Sequence, residues 1–80
     1  MFVYILQSLI NGKHYYGSTK DVEKRIKLHN RGKVRSTKAN RPYKLIYSEK
    51  FKTRSEAVKR EYFFKSIDGY KWLKVNSIIN

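Results

Sequence analysis

Cysteine is absent from the 80-residue sequence, proline occurs once, and acidic residues number only six. Without cysteine there is no disulfide, no zinc-thiolate site and no thiol nucleophile, so a small fold must hold without covalent staples, which suits a reducing compartment. No apolar run approaches the roughly 18 to 20 residues of a membrane-spanning helix. The opening Met1-Phe2-Val3-Tyr4-Ile5-Leu6 is too short for a secretory signal and carries no basic leader, so the expected location is the cytoplasm. Internal repeats and low-complexity tracts are missing too. The shortage of acid is the most informative of these absences. Nineteen Lys and Arg against six Asp and Glu leave a net charge of +13, far beyond what solubility asks of a small domain. The expected partner is a polyanion, and not a membrane.

What is present suffices to fold. Hydrophobic residues make up 40% and aromatics 15% of the chain, too much for a disordered tail. The length implies one domain, 1–80, burying only roughly 60 to 65% of its unfolded surface. Sites on its surface are therefore expected ahead of enclosed ones.

Residues 2–7 are β-branched and aromatic, and Asn11-Gly12 supplies a hairpin turn before Lys13-His14-Tyr15-Tyr16-Gly17. A helix follows, capped by Ser18 or Thr19, with Asp21 and Glu23 in its first turn and an end near Gly32. Val22, Ile26 and His29 share one side of it, and Arg25 and His29 form an i,i+4 pair at that side's edge. From Arg31 to Lys44 the chain carries six basic residues and no acidic one, and reads as a loop. Tyr43 to Phe51 supplies a third strand. Thr53-Arg54-Ser55-Glu56 is a capping box opening a second helix that runs through Ile67 and breaks at Asp68-Gly69. Tyr70 to Ile79 is the closing helix. The order ββαβαα describes an α+β, or mixed α/β, domain: a small three-stranded antiparallel sheet flanked by helices.

Side-chain alternation gives the hairpin a chemical consequence. A loop symmetric about Asn11-Gly12 sets Tyr4 opposite Thr19 and Ser8 opposite Tyr15, and Tyr4 and Tyr15 then share one face. Half-buried sheet tyrosines are the commonplace reading of that pair. Glu61 lies on the stripe where its helix turns inward, so its carboxylate needs a partner. A cation such as Arg25 or Lys65 is the plain choice; a divalent ion with waters and substrate phosphate is the other. His14 reads as a surface residue. His29, one turn from Arg25, stands within reach of a phosphate that the guanidinium holds. In the basic loop, Arg31, Lys33, Arg35, Lys38 and Arg41 are candidate phosphate contacts, with Ser36, Thr37 and Asn40 as neutral donors. The competing reading of that loop is a solvated flexible segment.

Together these residues resemble the GIY-YIG endonuclease superfamily, in particular its stand-alone single-domain members similar to the N-terminal nuclease domain of excinuclease ABC. Phe2-Val3-Tyr4 stands where the family has Gly-Ile-Tyr, and Tyr15-Tyr16-Gly17 where it has Tyr-Ile-Gly, with ten residues between. Thr19, Arg25 and His29 follow the family's next helix, and Glu61 matches its metal-binding glutamate. The resemblance implies metal-dependent hydrolysis of a nucleic-acid phosphodiester with one divalent ion, Mg²⁺ or Mn²⁺, on Glu61. Tyr4, Tyr15, Arg25, His29 and Glu61 are then the catalytic set, expected to converge on one shallow, cation-rimmed surface. Arg25 stabilises charge, and Tyr15 or His29 is the general base, with Tyr4 positioning. DNA of low sequence specificity, including branched or damaged forms, is the implied substrate, with RNA the second choice. Departures exist. Ser18 stands where larger members place a Lys, leaving Lys20 as its substitute, and Leu73 occupies the position of a family Asn, with Asn76 three residues late. The alternatives are a nucleic-acid-binding module of this fold that cleaves poorly or not at all, and a structural protein associated with ribosomes or RNA.

Overall fold

Phe2–Ser8 forms strand β1, and it is the central one: in the computed structural model, which describes residues 1–80, the sheet order is β2-β1-β3 with both pairings antiparallel. β2 is His14–Thr19 and β3 is Tyr43–Lys50. The helices are α1 (Val22–Asn30), α2 (Arg54–Lys65) and α3 (Ile67–Val75), so the expected ββαβαα order and α+β class hold. No helix is long and apolar enough to cross a membrane.

Covered on both faces, β1 is apolar from Phe2 to Leu6 instead of alternating. Val3 and Ile5 enter one core with Phe64, Leu73 and Ile79 beneath α2 and α3, while Tyr4 and Leu6 enter a second with Tyr43, Val22 and Ile26 beneath α1. A bulge interrupts the pairing of β3 with β1 between Ile5 and Leu6. Tyr47 pairs with Ile5 and Leu45 with Leu6, so Ile46 is the extra residue. Tyr47 accordingly packs on the α2/α3 side and Tyr43 on the α1 side, although both numbers are odd.

Arg60 of α2 clamps the first core from outside. Its Nε lies 2.8 Å from Glu49 Oε1, and its guanidinium stacks 4.5 Å from the Trp72 ring centre.

Three local expectations are corrected. Phe2 pairs with Thr19 and Tyr4 with Gly17, a two-residue slip from the register expected for a loop centred on Asn11-Gly12. The Ser8 hydroxyl sets this longer turn by accepting from the Ile10 and Asn11 amides, at 3.1 and 3.3 Å, while Gly12 takes the left-handed conformation at φ 74°. Because the slip is even, Tyr4 and Tyr15 stay on one face. Neither Ser18 nor Thr19 caps α1, since both belong to β2; Asp21 does, accepting from the Lys24 amide. Asp68-Gly69 does not break a helix. Ser66 ends α2 and caps α3, accepting from the Gly69 amide at 3.1 Å. Gly69 is needed because a Cβ there would collide with the Phe63 carbonyl across this elbow. Ile67 therefore belongs to α3, and the closing helix ends at Val75, leaving Ile79 to pack without being helical.

Candidate active site

Tyr4 is 1% exposed, at the centre of the α1 face. Its ring crosses its strand partner Gly17, where a Cβ would lie 2.6 Å from the Tyr4 hydroxyl. The glycine ending Tyr15-Tyr16-Gly17 is thus the space the tyrosine of the first triplet occupies.

The Tyr4 hydroxyl lies 3.0 Å from Nε2 of His29, which is fully buried. The other ring nitrogen, Nδ1, is 2.7 Å from Thr37 Oγ1, itself 3.2 Å from the Val34 carbonyl. A carbonyl only accepts, so the single hydroxyl hydrogen of Thr37 points to Val34, and Thr37 accepts from His29 Nδ1–H. This assigns Nε2 as the acceptor and Tyr4 as its donor. Burial, reinforced by the Arg25 charge, pushes the His29 pKa down to about 4, so the ring is neutral at physiological pH. Burial pushes Tyr4 up to about 12, against the opposing pull of Arg25. Tyr4 is a phenol donating to a neutral imidazole.

Tyr15 is half-buried beside them, its ring 6.3 Å from Tyr4 and 4.8 Å from His29 in an edge-on arrangement. Arg25 of α1 completes this side. The Tyr4 and Tyr15 hydroxyls raise its pKa, so its charge is secure, and no carboxylate forms an ion pair with it. An unpaired guanidinium between two phenols is suited to an oxyanion from outside.

Glu61 arrives from the other helix layer. Its Oε1 accepts from Ser18 Oγ at 3.0 Å, and its Oε2 pairs with Lys65 Nζ at 2.8 Å. Ser18 pairs with Val3 and so faces α2, whereas the neighbouring Gly17 faces α1. The five expected residues do not lie on one face: four gather on the α1 side, and Glu61 lies on the α2 side of the edge strand, its negative charge still felt by Tyr4. Its ion-pair partner is Lys65 and not Arg25.

A divalent ion would find one hard carboxylate here and no cluster of three His, Cys, Asp or Glu. Glu61 retains 16% side-chain exposure and Lys65 46%, so the ammonium is free to swing away. That donor set suits an ion that keeps most of its waters and takes further oxygens from a phosphate.

The basic loop is tied to the rest of the fold at several points. Asn30 brackets Tyr43 with two hydrogen bonds, the Ser8 hydroxyl donates to the Asn40 carbonyl at 2.6 Å, and a turn of 3-10 helix spans Lys38–Asn40. Arg31, Lys33, Arg35, Ser36, Lys38 and Arg41 are exposed. Thr37, expected among the phosphate contacts, is 1% exposed and committed to His29, so that assignment is withdrawn. The Asn40 side chain accepts from Asn11. Lys20 stands apart from the loop, in a depression shared with Phe2, Asp21 and Glu23. Leu73 is fully buried and carries no donor, while exposed Asn76 donates one of its two amide hydrogens to the Trp72 carbonyl. His14 is half-buried with an unpartnered Nε2, more enclosed than a surface residue.

Sequence reasoning missed Ser18 as the residue that holds Glu61; the alternation of β2 against Val3 would have shown which way it faces. Nothing in the sequence marks Thr37 as the partner of His29.

Comparison with known proteins shows what the chain is similar to. Residues 1–69 match the model of the GIY-YIG catalytic domain. The chain is 46% identical over 77 residues to a UPF0213 protein of Staphylococcus saprophyticus, covering 95% of this chain and 93% of that one. It is 44% identical over 75 residues to a UPF0213 protein of Staphylococcus aureus, covering 92% and 90%. No solved structure matches it.

Proposed function

We propose, from the premise that the chain belongs to the GIY-YIG family, that residues 1–80 act as one nuclease domain hydrolysing phosphodiester bonds, with DNA of low sequence specificity as substrate. The observation that carries this reading is the contrast between His29 and Arg25. Both nitrogens of His29 are engaged and the ring is sealed from water, whereas Arg25 is charged, flanked by Tyr15 and without a carboxylate partner.

In this mechanism Arg25 binds the non-bridging oxygens of the scissile phosphate and takes up the charge that builds as water attacks in line. Tyr15 orients the attacking water and accepts its proton, favoured over His29 because its hydroxyl is not tied to the imidazole. To take that proton Tyr15 acts as the phenolate, whose charge the adjacent Arg25 guanidinium offsets. Tyr4 and His29 act as the rigid backing, with Tyr4 donating inward and holding the ring that Tyr15 packs against. A Mg²⁺ or Mn²⁺ ion held by Glu61 would supply further stabilisation of the phosphate oxygens. Arg31, Lys33, Arg35, Ser36, Lys38 and Arg41 contact the strand backbone, and Lys20 lies outside that group.

The test is nicking of supercoiled and branched DNA, with and without Mg²⁺ or Mn²⁺, by the protein and by its Tyr15→Phe, Arg25→Ala and Glu61→Ala variants. Metal-dependent nicking lost in all three supports the reading. A second reading, a binding module that cleaves poorly, is favoured by the Lys65 ammonium on Glu61 and by buried Leu73. Binding without nicking at any metal concentration would select it.

A further inference from the structure

We propose that Arg35, Lys38 and Arg41 form a second anion site, distinct from the Arg25 cluster, which grips a phosphate of the substrate other than the one being cut. The three side chains and Ala39 line a shallow, open concavity on the basic loop. The two ion pairs of the molecule employ Arg60 and Lys65, so none of these three cations has a carboxylate partner. Like charges gathered in one concavity repel each other unless an anion offsets them.

Arg41 is held in place before any ligand arrives. Arg41 lies against Gly32, where a Cβ would collide with its guanidinium, and its Nη1 donates to the Lys38 carbonyl at 3.3 Å. One nitrogen is spent in holding the fork, and the remaining donors stay available for an oxyanion. The Asn40 amide donates to the Thr37 carbonyl at 3.2 Å, closing the turn that carries Lys38 and Ala39.

Thr37 fixes where this site stands. It lies in sequence between Arg35 and Lys38, yet its side chain points into the protein and accepts from His29. The concavity's rim is therefore tethered to the imidazole that receives Tyr4, and the anion site keeps a constant offset from the Tyr15 and Arg25 groups. Two phosphate sites at a fixed separation would define the register of a strand without reading its bases. The natural ligand rests on the nuclease reading above, but the anion site itself does not.

The test is a two-dimensional NMR titration of the whole protein with inorganic phosphate, the ionic strength being held constant with chloride. Saturable shifts are expected at the Gly32 and Ala39 amides and at the Arg41 side chain, absent from the Lys38→Gln/Arg41→Gln double variant while its remaining spectrum shows an intact fold. Shifts that chloride reproduces equally, or that persist in the double variant, overturn the proposal. Short oligothymidylates with and without a 5′-phosphate then identify the source. Tighter binding of the phosphorylated form selects a terminal phosphate, and equal binding selects an internal diester. In the double variant, log K against log salt should flatten by about 1.4 for two lost contacts to a single strand. An unchanged slope overturns the assignment to nucleic acid. Absence of cleavage with retained phosphate binding would remove the nuclease reading and leave this site standing.

Discussion

The Tyr4 hydroxyl donates to Nε2 of His29 across 3.0 Å, joining the central strand to the last turn of α1 inside the protein. Thr37 holds the far side of the same ring, so the central strand, α1 and the basic loop meet on one imidazole. The bond requires the ring to be neutral at Nε2, which ties the architecture of the site to pH.

Acidification should therefore loosen the fold through His29. The folded ring titrates near 4, against 6.5 for the ordinary group. Between those values the unfolded chain binds a proton that the folded chain refuses, so stability falls as pH drops through that window and levels off beneath it. The slope from one such group is at most about 1.4 kcal/mol per pH unit. Urea unfolding between pH 7 and 4 measures it. His29→Gln should remove most of the slope, leaving a remainder from His14, whose pKa burial lowers in the same sense.

Gly17→Ala should cost about 1–3 kcal/mol, the usual range for forcing extra volume into a packed interior. Its methyl group would meet the Tyr4 hydroxyl at 2.6 Å and a ring carbon at 2.7 Å. Tyr4→Phe removes only the first of these contacts, so it should not restore the stability of the alanine variant. Thermal unfolding of the two single variants and the double variant settles the point.

Lys65→Met is expected to raise the affinity for Mn²⁺, because it frees the Oε2 atom of Glu61 that the ammonium now occupies. With Lys65 nearly half exposed, stability should change by less than about 1 kcal/mol. Calorimetric titration of Mn²⁺ gives the comparison. Glu61→Gln should abolish the binding in either background, and an unaltered affinity in Lys65→Met would mean that the pair does not compete with metal.

Arg25→Lys should not substitute for arginine. The ammonium keeps the charge but loses the planar fork that spans two oxygens. Removing such a stabiliser costs about 10²–10³-fold in rate. Single-turnover cleavage is expected to fall by that order in Arg25→Ala and to recover only in small part in Arg25→Lys.

Much of this was legible in the residues, for identifiable reasons. The shared face of Tyr4 and Tyr15 survives an error in hairpin register because strand alternation has period two and the slip was even. The capping box at Thr53 forms with both of its reciprocal bonds because it needs only four consecutive residues. What stayed hidden depends on how the chain packs in space, even between residues only a few positions apart. Asp68-Gly69 has the composition of a helix break, yet the glycine is demanded by a neighbouring carbonyl that no local pattern reveals. Thr37 looks like one more polar residue in a cationic loop, and only the buried imidazole eight residues earlier turns it inward. Glu61 announced its need for a partner, but the choice of Lys65 over Arg25 was decided by which side of the sheet each helix covers.

The bulge at Ile46 gives β3 one spare residue. Deleting it would leave Tyr47 opposite Ile5 and Leu45 opposite Leu6, now in simple alternation, with Tyr43 still opposite Ser8 in the layer it shares with Tyr4 and Leu6. A single lost codon at this position would thus spare the backing of the candidate site, whereas loss of a second residue between Tyr43 and Tyr47 would turn Tyr43 to the other side of the sheet.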